Sequence, residues 1–158
     1  MHKLLVHPAA PGVLYQQNHV GVYRSNDYGS SWDRLDKGEN GLPYDFGFGL
    51  AVHARDKNAC YTIPLEPEEY NFRATNGSLN VYRSKKNGWR KLSKGLPQKG
   101  AYLSILRQAM DADRLDPCGV YFGTAGGQVY ASNDEGASWE VAAGTLPPIY
   151  SVTVAVVE

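Results

Sequence analysis

Apolar and polar residues alternate over short runs along this chain, and Gly, Pro, Asn or Asp interrupts the alternation every few residues. A period of two sends successive side chains to opposite faces of an extended backbone, the pattern of short, half-buried strands. The first runs are residues 4–8, 13–17 and 21–25, with reversals at 9–12 and 18–19. A fourth, 32–35, opens on Trp32, and Gly41–Leu42–Pro43 closes the unit. The order returns in 50–53, 60–63 and 80–84, followed by a run opening on Trp89 and closed by Gly95–Leu96–Pro97. It returns again in 109–113, 120–123, 128–131 and 139–141, with Thr145–Leu146–Pro147 in the closing position. His7 precedes Tyr15 by eight residues, His53 precedes Tyr61 by eight and Asp113 precedes Tyr121 by eight, which sets the common phase. An all-β chain of repeated four-stranded antiparallel units is predicted.

The third and fourth strands of the first unit are joined by Ser25–Asn26–Asp27–Tyr28–Gly29–Ser30–Ser31–Trp32. The third unit repeats it as Ser132–Asn133–Asp134–Glu135–Gly136–Ala137–Ser138–Trp139. In the second unit it has decayed to Ser84–Lys85–Lys86–Asn87–Gly88–Trp89, two residues shorter and without the Asp. Each residue type has a structural part in a reversal. Asp27 and Asp134 accept backbone N–H bonds within the turn. Gly29 and Gly136 take the positive φ that a tight turn needs. Ser25 and Ser132 satisfy further backbone, and Trp32, Trp89 and Trp139 open the next strand as large apolar anchors, expected to be mostly buried.

These stretches resemble the Asp-box, or BNR, repeat of sialidase-like β-propellers, in which the box forms the turn between the third and fourth strands of a blade. The resemblance implies propeller blades, here at about 3–37, 49–94 and 109–143, with the box away from the active-site face. The whole chain is also similar to the C-terminal half of larger bacterial Asp-box proteins labelled sialidase-like or glycosyl-hydrolase-like. His2–Lys3–Leu4, Leu14–Tyr15–Gln16–Gln17–Asn18–His19 and Gly119–Val120–Tyr121–Phe122–Gly123–Thr124 carry that likeness. Residues 150–157 then read as a first strand with no blade behind it. Closed propellers have about 4–8 blades, so three blades leave apolar faces and a strand edge to be covered. A homodimer closing a ring from two half-propellers is one expectation; a fragment of a longer propeller is the alternative.

Sixteen Lys and Arg balance sixteen Asp and Glu. No overall field then favours nucleic acid or an anionic membrane, and neither is expected as a partner. Residues 1–8 lack the apolar core and cleavage site of a secretory leader, and a cytoplasmic protein is expected. Cys60 and Cys118 lie in different repeats and read as free or buried thiols. His7 and His53 hold the same place in successive repeats, which suits packing or turn roles; no metal and no cofactor is expected.

The turns between the second and third strands of each blade and the linkers between blades share the face opposite the boxes. Two enlarged loops, 64–78 and 98–108, fall there, and loops grown on one side of a rigid scaffold are where binding is built. The predicted binding face comprises Asn18, His19, Tyr44, Asp45, Phe46, Glu66, Glu69, Tyr70, Arg73, Tyr102 and Arg107. Tyr, Phe, Arg and Glu suit contact with a glycan, a small polar ligand or a protein loop, so a non-catalytic binding or scaffold module is the first expectation. The alternative is a glycoside hydrolase, which usually needs two carboxylates flanking a cleft; Asp45 and Glu69 are the candidates. The Arg-Ile-Pro motif and three-arginine cluster of sialidases are not found, so sialidase activity is not inferred.

Overall fold

The computed structural model describes residues 1–66 and 73–157. Strands β1 (Lys3–His7), β2 (Ala10–Asn18), β3 (Gly21–Ser25) and β4 (Asp33–Arg34) form one antiparallel meander. The second contains β5 (Gly47–Val52), β6 (Cys60–Pro64), β7 (Val81–Lys85) and β8 (Gly88–Leu92). The third contains β9 (Met110–Ala112), β10 (Val120–Gly123), β11 (Val129–Ser132) and β12 (Glu140–Ala143). The all-β expectation holds: three four-stranded sheets and no helix among the described residues. Among the described residues no helix is long and apolar enough to cross a membrane.

One tyrosine fixes the register of each sheet. Tyr15 pairs with Leu5 and Arg24, Tyr61 with Ala51 and Arg83, and Tyr121 with Asp111 and Ala131. Because side chains alternate across a sheet, this shared register sends equivalent residues toward the same neighbour. Val13, Tyr15 and Val22 of the first sheet meet Leu50, Cys60 and Trp89 of the second. Tyr61, Ile63 and Val81 of the second meet Met110, Tyr130 and Trp139 of the third. The core is therefore two seams between successive sheets. Both cysteines are free and buried, and burial pushes the Cys60 thiol up to about 12.

The two complete boxes are superimposable in their hydrogen bonds. Ser25 Oγ donates to Asp27 Oδ1 (2.7 Å) and accepts from Gly29 N (2.8 Å), while Ser31 N and Oγ donate to the two Asp27 oxygens. Ser132, Asp134, Gly136 and Ser138 repeat every one of these bonds. Tyr28–Gly29 and Glu135–Gly136 turn the chain with positive φ, 57° and 89° in the first and 59° and 87° in the second. The bonds from Ser31 and Ser25 hold the Asp27 carboxyl down at about 2. Burial pushes Asp134 upward, but Ser138, Ser132 and the Ala137 amide outweigh it and hold that carboxyl below its usual range.

Trp89 and Trp139 are buried, at 6% and 5% exposure, but Trp32 is only partly buried. The difference has a cause in the order of the blades. Each tryptophan opens a fourth strand that packs on the preceding blade: Trp89 Nε1 donates to Leu35 O, and Trp139 N to Lys94 O. Among the described residues no sheet packs against the box side of the first one in this way, and Trp32 Nε1 bonds within its own turn, to Gly29 O. The same asymmetry marks the inner strands. Leu50 is fully buried, whereas Leu4 and Val6, at the repeat positions of Leu50 and Val52, are 42% and 55% exposed.

Residues 150–157 depart from the expected strand. Ser151 makes an isolated parallel bridge with Gln108, Val152 N donates to Gln108 O and Val154 N to Asp111 Oδ2. No ladder forms along this run. Lys3 is buried beside the same inner strands, its ammonium donating to Met110 O at 2.7 Å; burial lowers its pKa, opposed by Asp111.

Candidate functional site

The two enlarged loops are bound to each other. Thr75, 4% exposed, joins them: its hydroxyl donates to Ala101 O (2.6 Å) and accepts from Leu103 N (3.0 Å), and Thr75 N donates to Leu103 O. Ala101 N donates to Gly77 O, Ser104 Oγ to Arg73 O, and Ala125 N to Ser104 O. The stretch 101–107 is thereby an extended strap with neither a ladder nor a helical turn, tied to the second and third sheets. Ile105 beneath it is fully buried and anchors it to the core.

Two cavities open beside this strap. One, of about 230 Å³, is lined by Glu66, Ala74, Thr75, Asn76 and Tyr102. The other, of about 210 Å³, has Pro43, Tyr44, Asn76, Asn80, Tyr82 and Lys91 among its walls. Tyr44, Glu66 and Asn76 link them. The Tyr44 hydroxyl donates to Glu66 Oε1 at 3.0 Å and accepts from Asn76 Nδ2 at 3.4 Å. Asn80 Nδ2 donates to Ser78 Oγ, while its buried Oδ1 has no hydrogen-bond partner. An unpartnered buried acceptor costs free energy until a donor reaches it. Tyr102 stands 70% exposed at the rim.

A second group sits on the N-terminal side of this face. His2 donates from Nδ1 to Gly47 O at 2.8 Å, so its Nε2 accepts from His19 Nδ1 at 3.0 Å. Phe46 packs against both rings and Phe48 against His2, and the Arg107 guanidinium lies 4.6 Å from the Phe48 ring centre. Burial lowers the His2 pKa, with further lowering from His19 and Arg107 against the Gly47 bond. This favours the neutral ring that the hydrogen bonds require.

The predicted residues therefore divide. Tyr44, Glu66 and Tyr102 share the cavities, and His19, Phe46 and Arg107 share the aromatic group. Asn18 serves its own turn, accepting from Val20 N. Asp45 is turned to cations, its carboxylate 3.1 Å from Lys37 Nζ and 3.4 Å from Arg34. The Arg73 carbonyl is held by Ser104, and its side chain is exposed. Glu69 and Tyr70 lie outside the described residues. Thr75, Asn76, Asn80, His2 and Phe48 were not foreseen from the sequence. Asn76–Gly77 is a turn pair marking where the insertion reverses, but nothing in the sequence distinguishes Thr75 or Asn80 from solvated loop residues.

No family model matches the chain, and no curated protein matches it in sequence. Solved structures do. The GH74 xyloglucanase from Xanthomonas campestris aligns at TM-score 0.62 and 23% identity, over 87% of this chain and 20% of that one. A GH74 enzyme from Niastella koreensis aligns at TM-score 0.62 and 18% identity, over 91% and 21%. An ancestral GH74 enzyme gives TM-score 0.58 and 16% identity, over 87% and 18%. The chain spans about a fifth of the length of these proteins. At such identities the likeness is one of fold: the three sheets are blades of a β-propeller.

Proposed function

We propose that this protein is a non-catalytic binding module, an Asp-box propeller arc whose loop face takes a glycan. The observation that carries the reading is the pair of cavities joined by Tyr44, Glu66 and Asn76, with Asn80, whose buried Oδ1 is unpartnered, in the wall of one and the exposed Tyr102 ring beside the other. A sugar offers hydroxyl donors to a carboxylate and amide oxygens and an apolar face to an aromatic ring, which matches this lining. Asp45 and Glu66 are each engaged by protein groups, Asp45 by Arg34 and Lys37 and Glu66 by Tyr44, which speaks against a free acid and base across a cleft.

The GH74 neighbours support a β-glucan oligosaccharide as the first ligand to try, xyloglucan-derived chains included. They also favour the second reading, a glycoside hydrolase using Asp45 and Glu69. Titration calorimetry with such oligosaccharides, alongside product analysis, separates the two. Saturable binding lost in Tyr102→Ala and Asn76→Ala, with substrate intact after long incubation, supports the module. Turnover abolished by Asp45→Asn or Glu69→Gln makes the protein a hydrolase.

The blade units 3–37, 49–94 and 109–143 need their end faces covered, and a second copy in a two-fold dimer does this with one interface used twice. Partly buried Trp32 and exposed Leu4 and Val6 at one end, with the run 150–157 held at the other by a single bridge and no ladder, support that assembly. Free buried thiols suit a reducing compartment such as the cytoplasm.

A further inference from the structure

The seam between the second and third blades contains a partly buried ionic contact that the first seam lacks. At the apex of the third-blade box, Glu135 reaches back across the seam and accepts from Arg83 at 2.7 Å and from His53 Nε2 at 3.2 Å. These bonds hold the Glu135 carboxyl below its usual range. One blade earlier the receiving groups are in place: Arg24 is the repeat equivalent of Arg83, and His7 of His53. The donor of the carboxylate is missing. The second-blade box is two residues shorter, and Lys85 pairs with Gly88 across a tight hairpin that has no position equivalent to Glu135.

The shortened turn leaves a cavity of about 510 Å³ at the first seam, lined by Arg24, Arg34, Lys37, Lys85, Lys86 and Trp89 among others, with no acidic side chain in its wall. Five of the sixteen Lys and Arg residues of a chain with no net charge meet there. Arg34 and Lys37 are already paired with Asp36 and Asp45. Among the described residues, Arg24, Lys85 and Lys86 have no carboxylate within 4.0 Å, and Asn58 Oδ1 takes only the Arg24 NH1. Arg24 Nε is buried without a partner. His7 has turned instead to a backbone acceptor, His53 O at 2.8 Å. A guanidinium held in a seam without its anion is an uncompensated charge, and charge-assisted bonds to an incoming oxyanion are the strong ones.

We infer that this seam is a binding site for a small organic polycarboxylate. One carboxylate group occupies the place that Glu135 fills in the next seam and bonds to Arg24. A second lies toward Lys85 and Lys86 at the mouth. The carboxylate class follows from the next seam, where Glu135 supplies that group to Arg83, the repeat equivalent of Arg24. The site lies on the box side of the blades, apart from the loop face, and does not depend on what the loop face binds.

The test is titration of the intact protein with citrate, and separately with inorganic phosphate, at constant ionic strength, read by calorimetry and by the fluorescence of Trp89 in the cavity wall. Saturable citrate binding at least tenfold tighter than phosphate is expected. It should weaken at least tenfold in Arg24→Gln and in Lys86→Gln, and remain unchanged in the charge-matched control Arg114→Gln. Replacing residues 85–88 by a copy of residues 133–138 restores a complete box with its own glutamate. That variant should fold and lose citrate binding, because its side chain occupies the site. No saturable citrate binding, equal binding by wild type and Arg24→Gln, or undiminished binding by a folded restored-box variant would each overturn the assignment. Phosphate binding tighter than citrate would overturn the ligand class.

Discussion

Replacing Trp139 and Trp32 by alanine, one at a time, distinguishes a tryptophan set between two blades from one at an open end. Trp139 is 5% exposed, stacks edge-on to Phe122 with ring centres 5.2 Å apart, and lies against Leu92 and Gly136 at the seam. A ring of this kind removes roughly 150–250 Å² from water, worth about 4–6 kcal/mol at ~25 cal/mol per Å². Its Nε1 has no hydrogen-bond partner, so no bond is lost with it. Measured costs of deleting large core aromatics run at about 3–5 kcal/mol, and Trp139→Ala should fall in that range. Trp32 packs on one side only and bonds within its own turn. In the isolated chain its loss should cost about 1–3 kcal/mol, and the proposed dimer predicts that this cost rises with protein concentration. Urea unfolding followed by far-ultraviolet circular dichroism reads both, since the backbone signal does not depend on the indole removed. A loss below about 1 kcal/mol for Trp139→Ala, or equal losses for both variants at high dilution, would refute the seam assignment.

The folded chain holds Asp27, Asp134 and Glu135 below ordinary carboxylate values, so as pH falls through the ordinary carboxylate range it binds fewer protons than the unfolded chain. Their stabilisation should be complete above the ordinary carboxylate range and fall as pH drops through it; a urea midpoint that stays flat down to pH of about 3 would contradict this. Asp27→Asn and Asp134→Asn should each flatten the acid limb of the midpoint against pH. Thr75→Val keeps the shape of the side chain but removes both bonds to the strap. It should cost about 1–3 kcal/mol and speed amide exchange at Leu103, with β9–β12 unaffected; unchanged exchange at Leu103 would show that the strap is held by Ile105 alone.

Strand positions were legible because each strand is a few residues of strict alternation bounded by Gly, Pro or Asn. The box was legible because Ser25, Asp27, Gly29 and Ser31 bond to one another within seven residues, and local bonds leave local signatures. What lay hidden depends on contacts between repeats. The partial exposure of Trp32 follows from the blade it does not face, not from its own box, whose bonding residues Ser25, Asp27, Gly29 and Ser31 match those before Trp139. The bonds from His53 and Arg83 to Glu135 join residues 82 and 52 positions apart. Lys3 reads as an ordinary surface lysine in sequence, yet its ammonium meets a carbonyl 107 residues away. On the loop face, Tyr44, Glu66 and Tyr102 were foreseen because blade topology dictates where insertions emerge. Thr75 was not, because its role depends on how two insertions meet.

The mass of the intact chain in dilute solution, by multi-angle light scattering across a concentration series, bears most directly on the claim that three blades form an open arc completed by a second copy. The account predicts a particle of twice the 17.4 kDa chain mass. Trp32→Ala and truncation after Pro148 should each drive it toward smaller or aggregated species. A compact, stably folded particle of 17.4 kDa at every concentration would contradict the account.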